Sequence, residues 1–211
     1  YEILRCLVGS EMCIRDRQIM RKLIVSFAFM VIALTSYAQS SSEHLTFKGI
    51  PIEGSMSEFC QKLKAKGFTS IGSENNLALF IGDFTGRNAT IGVTATDDGK
   101  NVFAVVVFFD PSGEWNTLVN TYDYYKDLYT HKYGSPTISK EKNPARSDSN
   151  AALMAEVHQG TVVWGCVWDI TGGDIELSIK KTSGFYEGMV VIRYRDSQNV
   201  ETKIQKDLED I

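Results

Sequence analysis

The side chains able to do chemistry are few and widely spaced. His44, His131 and His158 are the three histidines of the 211-residue chain. None stands in an HExxH pattern, where two imidazoles on one helix face hold zinc, and no two cysteines have CxxC spacing. No metal site is expected. The glycine-rich turns that cradle phosphate, GxGxxG and GxxxxGK(S/T), and the GxSxG nucleophile elbow are missing too. No cofactor site and no catalytic residue is predicted. His44 falls in a polar leader, His131 near a helix end and His158 beside a turn, so all three read as solvated; a helix C-terminus favours charged His131.

Carboxylates are the remaining route to catalysis, because glycoside hydrolysis needs two of them about 5–9.5 Å apart. Asp97 with Asp98, Asp83 with Asp110, and Asp169 with Asp174 are candidates by position. The first and last pairs sit in glycine-rich turns, where aspartate also satisfies turn geometry. In "VVWGCVWDI", strand alternation puts Trp164, Cys166 and Trp168 on one face. Buried against a helix, the indoles are core; on an open face they are a binding surface. Cys60 and Cys166 are the two cysteines beyond residue 38. In an oxidising compartment they are candidates for a disulfide; the alternative is two separately buried thiols.

The elements that must carry these residues show two echoing sets. "SMSEFCQKLKAKGF" predicts a helix: Ser55 and Glu58 make a capping box, Met56, Phe59, Cys60 and Leu63 share a face, and Gly67 stops it. "LALFIGDF", "ATIGVTAT" and "NVFAVVVFFD" follow as a meander with turns at "TGRN" and "DDGK"; the third, apolar on both faces, belongs mid-sheet. "DPSGEWNTLVNTYDYYKDLYTHKYGSP" predicts a second helix, with Asp110 as cap, Pro111 in the first turn and Gly134 at the end. The polar stretch "ISKEKNPARSDSN" reads as a loop. "ALMAEVHQ", "TVVWGCVWDI", "DIELSIKK" and "GMVVIRYRD" read as further strands, and residues 199–211 as a tail able to form a terminal helix. The fold class expected is α+β: two helix-plus-antiparallel-meander units (55–110 and 111–198), with the helices packed on one side of an antiparallel sheet.

The N-terminal region sets the compartment. Arg21 and Lys22 precede the apolar run Leu23–Leu34, and Ser36-Tyr37-Ala38 presents small residues at a cleavage position. Residues 20–38 therefore read as a signal peptide cut between Ala38 and Gln39. A dozen apolar residues fall short of the ~20 that span a bilayer. No cysteine follows the cut, so a lipoprotein is not expected. Residues 1–19 read as a non-native extension, "GSEMCIRDR" resembling translated adapter DNA. Residues 39–54 form the leader and a short strand. Beyond residue 38 stand 17 basic and 23 acidic side chains, a net charge near −6. Such a chain offers no electrostatic footprint for nucleic acid or an anionic membrane.

Through "FKGIPIEGSMSEFCQKLKAKGF", "GDFTG", "YKDLYTHKYGSP" and "GDIELSI" the chain resembles a group of uncharacterised secreted proteins of gut-associated Gram-negative bacteria. Its repeated helix-plus-meander order is also similar to the tandem architecture of the β-lactamase inhibitor protein and of the small outer-membrane assembly lipoproteins. That likeness implies an open sheet face that binds another envelope or secreted protein; it supplies no catalytic residues. The expectation is a periplasmic or secreted, non-enzymatic binding or inhibitory module, the alternative being a cell-envelope hydrolase with paired carboxylates.

Overall fold

The computed structural model describes residues 44–142 and 149–209. The extension 1–19, the signal segment 20–38 with its Ala38–Gln39 junction, and the first leader residues lie outside the described residues.

The chain is α+β. An eight-stranded antiparallel sheet runs in the order β3-β4-β5-β6-β10-β9-β8-β7, beside a two-stranded hairpin β1-β2. The hairpin is β1 (Thr46–Phe47) and β2 (Ile50–Pro51), and helix α1 spans Met56–Ala65. Strands β3 (Thr69–Glu74), β4 (Leu77–Phe84), β5 (Arg87–Ala95) and β6 (Val102–Phe108) follow, then helix α2 (Trp115–Tyr133). Next come β7 (Ile138–Lys142), α3 (Asn150–Gln159), β8 (Val163–Ile170), β9 (Gly173–Lys181), β10 (Gly188–Asp196) and α4 (Ser197–Glu209). As its two-sided apolar sequence requires, β6 lies in the middle of the sheet, paired with β5 and β10.

Helix α1 forms where its caps dictate. Ser55 Oγ accepts from the Glu58 amide at 3.3 Å and the Glu58 carboxylate accepts from the Ser55 amide at 3.1 Å. Phe59 and Leu63, four apart, bury the inner face. Helix α2 opens later than expected, at Trp115, with Glu114 as N-cap. Asp110 does not cap it, because Ser112 is held away in a bridge to Gly188. Two further expectations are overturned. "ALMAEVHQ" is helix α3: the Ser149 hydroxyl accepts from the Ala152 amide, Leu153, Met154 and Val157 point inward, and Gly160 closes it in a left-handed turn (φ 73°). The first part of the supposed loop, Ile138–Lys142, is edge strand β7, which pairs with β8.

One apolar cluster unites the inner stripes of α1, α2 and α3 with alternate residues of the strands. Its centre is aromatic: Tyr125 stacks on Phe109 at 4.5 Å, and Tyr129 lies 5.4 Å from Trp168. The Trp168 indole N–H donates to the Gly134 carbonyl at 2.9 Å, fastening β8 to the end of α2. A buried polar knot ties the leader to the end of the central strand β10. The Asp196 carboxylate accepts from the amides of Leu45 and Asn199 and from His44 Nδ1, while the Asn199 amide group donates to the carbonyls of Ile52 and Val102. His44 is thus a packed, partnered side chain rather than the solvated one its polar neighbours suggested, since its partner lies 152 residues away.

Candidate binding face

The candidate chemical residues do not converge. Cys60 on α1 and Cys166 on β8 are both free. Helix α1 packs on β5, and β8 is four strands from β5. At about 4.8 Å per strand that is some 19 Å, against the 4.4–6.8 Å between Cα atoms that a disulfide allows. Of the two readings, that of two separate thiols holds and the candidate disulfide does not form. Burial pushes the Cys166 thiol up to about 11, where little nucleophilic thiolate exists. It sits 3.2 Å from the Tyr122 hydroxyl, which also donates to Glu141. Glu141 is in turn paired with Lys126.

The carboxylates divide between turns and bridges. Asp83 accepts from the Gly86 amide in the β4–β5 turn, and Asp97 accepts from the Asn76 side chain. Hydrogen bonds from Thr96, Lys206 and the Lys100 amide hold Asp98 far below the usual carboxylate range. Asp110 is exposed on its own segment. Asp169 and Asp174 alone stand directly opposite one another, as cross-strand partners of β8 and β9. Asp174 is occupied by Arg195, whose Nε and terminal nitrogen donate at 3.0 and 2.8 Å. Among the described residues no three His, Cys, Asp or Glu side chains group to hold a metal.

The two tryptophans face the helices, so of the two readings the core one holds and the possible binding surface does not. Trp168 is 1% exposed. Trp164 packs edge-on against Trp115 at 5.1 Å. Strand alternation toward the helices explains both.

The opposite face of the sheet is half-exposed, and its register builds continuous rows. One row reads Leu79, Gly92, Val106, Arg193, Glu176, Val167 and Ile138 across β4-β5-β6-β10-β9-β8-β7. Beside it run Ile81, Thr90, Phe108 and Val191. Gly92 leaves room for the Phe108 ring: a Cβ there would lie 3.3 Å from it. The β4–β6 side is therefore apolar and the β9–β10 side ionic. Arg193 and Lys180 both pair with Glu176. Burial would raise the Glu176 carboxyl, but these two cations outweigh it and keep it below its ordinary value.

Where β8 and β9 part beyond the Gly165–Ser178 pair, a cleft of about 640 Å³ opens between the strands, walled by Lys140, Val163, Glu176 and Lys180 on this face and by Trp164 from the helix side. Among the described residues, the Trp164 indole N–H and Arg193 Nε have no hydrogen-bond partner. In the last turn of α3, His158 stacks on Tyr186 at 4.6 Å, and Phe185 stands 80% exposed. Tyr186 holds a left-handed backbone (φ 55°), an outlier for a bulky residue.

Sequence reasoning expected an open sheet face but not the residues that make it. The alternation of "GMVVIRYRD" contains the signal, since Val191, Arg193 and Arg195 share a side, but register across β6 and β9 is needed to join the rows. No family model, curated protein or solved structure matches the chain. No described helix is long and apolar enough to cross a membrane.

Proposed function

We propose that this chain is an exported, periplasmic or secreted, non-enzymatic module that binds or inhibits another envelope or secreted protein through the half-exposed sheet face. The observation that carries the reading is the row structure: half-buried Leu79, Ile81, Val106, Phe108 and Val191 beside fixed Arg–Glu and Arg–Asp pairs. Apolar centres flanked by ordered charge are what protein interfaces use, with Phe and Arg as frequent anchors. Export is supported by the run Met20–Gln39. The tandem reading, with units 55–110 and 111–198 and helices on one side, is supported by strand order: β3–β6 and β7–β10 occupy opposite halves and meet at the β6–β10 seam.

A photocrosslinking residue at Phe108 and another at Lys62, on the outward side of α1, test the face in the host envelope. A discrete protein adduct from position 108 and none from 62 is expected, and loss of that adduct with Val106→Lys. Adducts from position 62 alone, or identical adducts from both, overturn the assignment. The opposed Asp169–Asp174 pair favours a second reading, the carboxylate hydrolase. Turnover of an envelope glycan or peptide, abolished by Asp169→Asn, would establish that reading and remove the first.

A further inference from the structure

A second cleft lies on the helix-bearing side, away from the sheet face. Its volume is about 320 Å³, at the lower end of the range for small-molecule sites. The β1–β2 turn, the β4–β5 turn and the last two turns of α2 enclose it.

Its lining is unusual for so acidic a chain. Lys48 and Lys132 are the charged residues of the wall, with no carboxylate among the lining side chains. Neither lysine has an ion-pair partner among the described residues. Each instead rests over an aromatic ring: Lys48 Nζ is 5.4 Å from the Phe84 centroid, and Lys132 Nζ is 4.8 Å from that of Tyr133. Exposed Leu128 and half-buried Tyr133 supply its accessible apolar surface, over a floor of buried Phe84, Tyr125, Tyr129 and Tyr194.

The hydroxyls of Tyr129 and Tyr194 are hydrogen-bonded to each other, and neither has a further partner among the described residues. Two hydroxyls carry two protons, and only one can lie between the two oxygens. The other has no acceptor. Burial raises both phenols above their ordinary value, so both protons stay on at neutral pH. The Tyr125–Thr85 pair nearby is different: the Phe84 carbonyl accepts from it, which accounts for its protons.

The turns that form the rim are strained. Lys48 (φ 52°) and Thr85 (φ 54°) both take the left-handed conformation, followed by Gly49 and Gly86. Two-residue hairpins of this hand favour Asn or Gly at that first position, and a β-branched residue there is an outlier. Asn or Gly would have relieved the turns without the Lys48 ammonium or the Thr85 hydroxyl.

Two unpaired cations, a spare buried hydroxyl proton and an aromatic lining call for one kind of ligand. We propose that this cleft binds a small aromatic carboxylate, its ring against Leu128 and Tyr133, its carboxylate facing Lys48 and Lys132 and accepting a hydrogen bond from the spare hydroxyl of the Tyr129–Tyr194 pair. An inorganic anion would leave the aromatic lining unfilled; a neutral ring would leave the cations and the proton unmet.

Titration of the full chain with phenylacetate, followed by amide NMR shifts, tests this. Saturable shifts are expected at Gly49, Thr85 and Lys132. Benzyl alcohol and inorganic phosphate should each bind about tenfold more weakly or worse, the scale of one lost charge-assisted hydrogen bond. Lys132→Gln should weaken phenylacetate by about tenfold, with Lys48→Asn, which tolerates the left-handed turn, adding to it. Tyr194→Phe should also weaken it. Should Lys48→Asn disturb folding, Lys132→Gln decides alone. Absence of saturable shifts, equal binding of benzyl alcohol or phosphate, or indifference to Lys132→Gln overturns the proposal. The sheet-face crosslinks are unaffected either way.

Discussion

The two faces of the eight-stranded sheet are made by the same strands yet are held by different physics. Along β10, Val190, Ile192 and Tyr194 enter the aromatic cluster under α2, while Val191, Arg193 and Arg195 between them face partly into solvent. The inner face is stabilised by burial and close packing. The outer face keeps its polar groups in cross-strand ion pairs, which add little stability where water reaches them. The difference teaches where each kind of substitution should register: the inner face in folding, the outer face in recognition.

Trp168→Ala is the strongest way to break the contrast. It removes a fully buried indole and its bond to Gly134, and should cost about 3–5 kcal/mol in denaturant unfolding; under 1 kcal/mol would mean that the inner face is not the stabilising one. Gly173→Ala comes next, since a Cβ there would lie 1.9 Å from the Arg195 carbonyl. Backbone cannot yield as a side chain can, so about 1–3 kcal/mol should be lost at the β9–β10 pair. Val106→Lys should change stability by no more than about 1 kcal/mol while abolishing the crosslinked adduct, which separates the roles of the faces.

The smallest effect concerns Glu141, at the edge of the buried tyrosine–cysteine pair. Burial would raise its carboxyl, but bonds from Lys126 and Tyr122 outweigh that and hold it below its ordinary value. A depressed carboxylate contributes stability above its unfolded value, about 4.3, and loses it as pH falls through the folded value. Glu141→Gln should therefore lower stability by under about 1 kcal/mol at pH 7, the gap closing below pH ~4. A gap that persists or widens in acid would contradict the ion pair as its source.

Much of the fold was legible where local chemistry and burial agree. The Ser55–Glu58 box located α1, alternation located β5 and β9, and a run apolar on both faces located β6. Legibility failed where the deciding contact was remote. Strand β3 (Thr69–Glu74) is exposed along its whole length, so no apolar period marks it; pairing with β4 alone makes it a strand. "ALMAEVHQ" is short enough for apolar spacing to suit strand or helix, and its caps Ser149 and Gly160 carried the answer. At the sheet face, Val106 and Arg193 looked like unrelated residues until register made them neighbours.

By itself the sequence determined the element types with strong local signals, the α+β class, and the absence of familiar catalytic and metal-binding motifs, because caps, turns and periodicity act over a few residues. Only the tertiary structure decided that His44 is gripped by Asp196, that the two cysteines are far apart, that both tryptophans face inward, and that two lysines without an ion-pair partner among the described residues meet a pair of tyrosines with a proton to spare. Those facts depend on strand order and register, which are set by summed packing over the whole chain rather than by any one stretch of it.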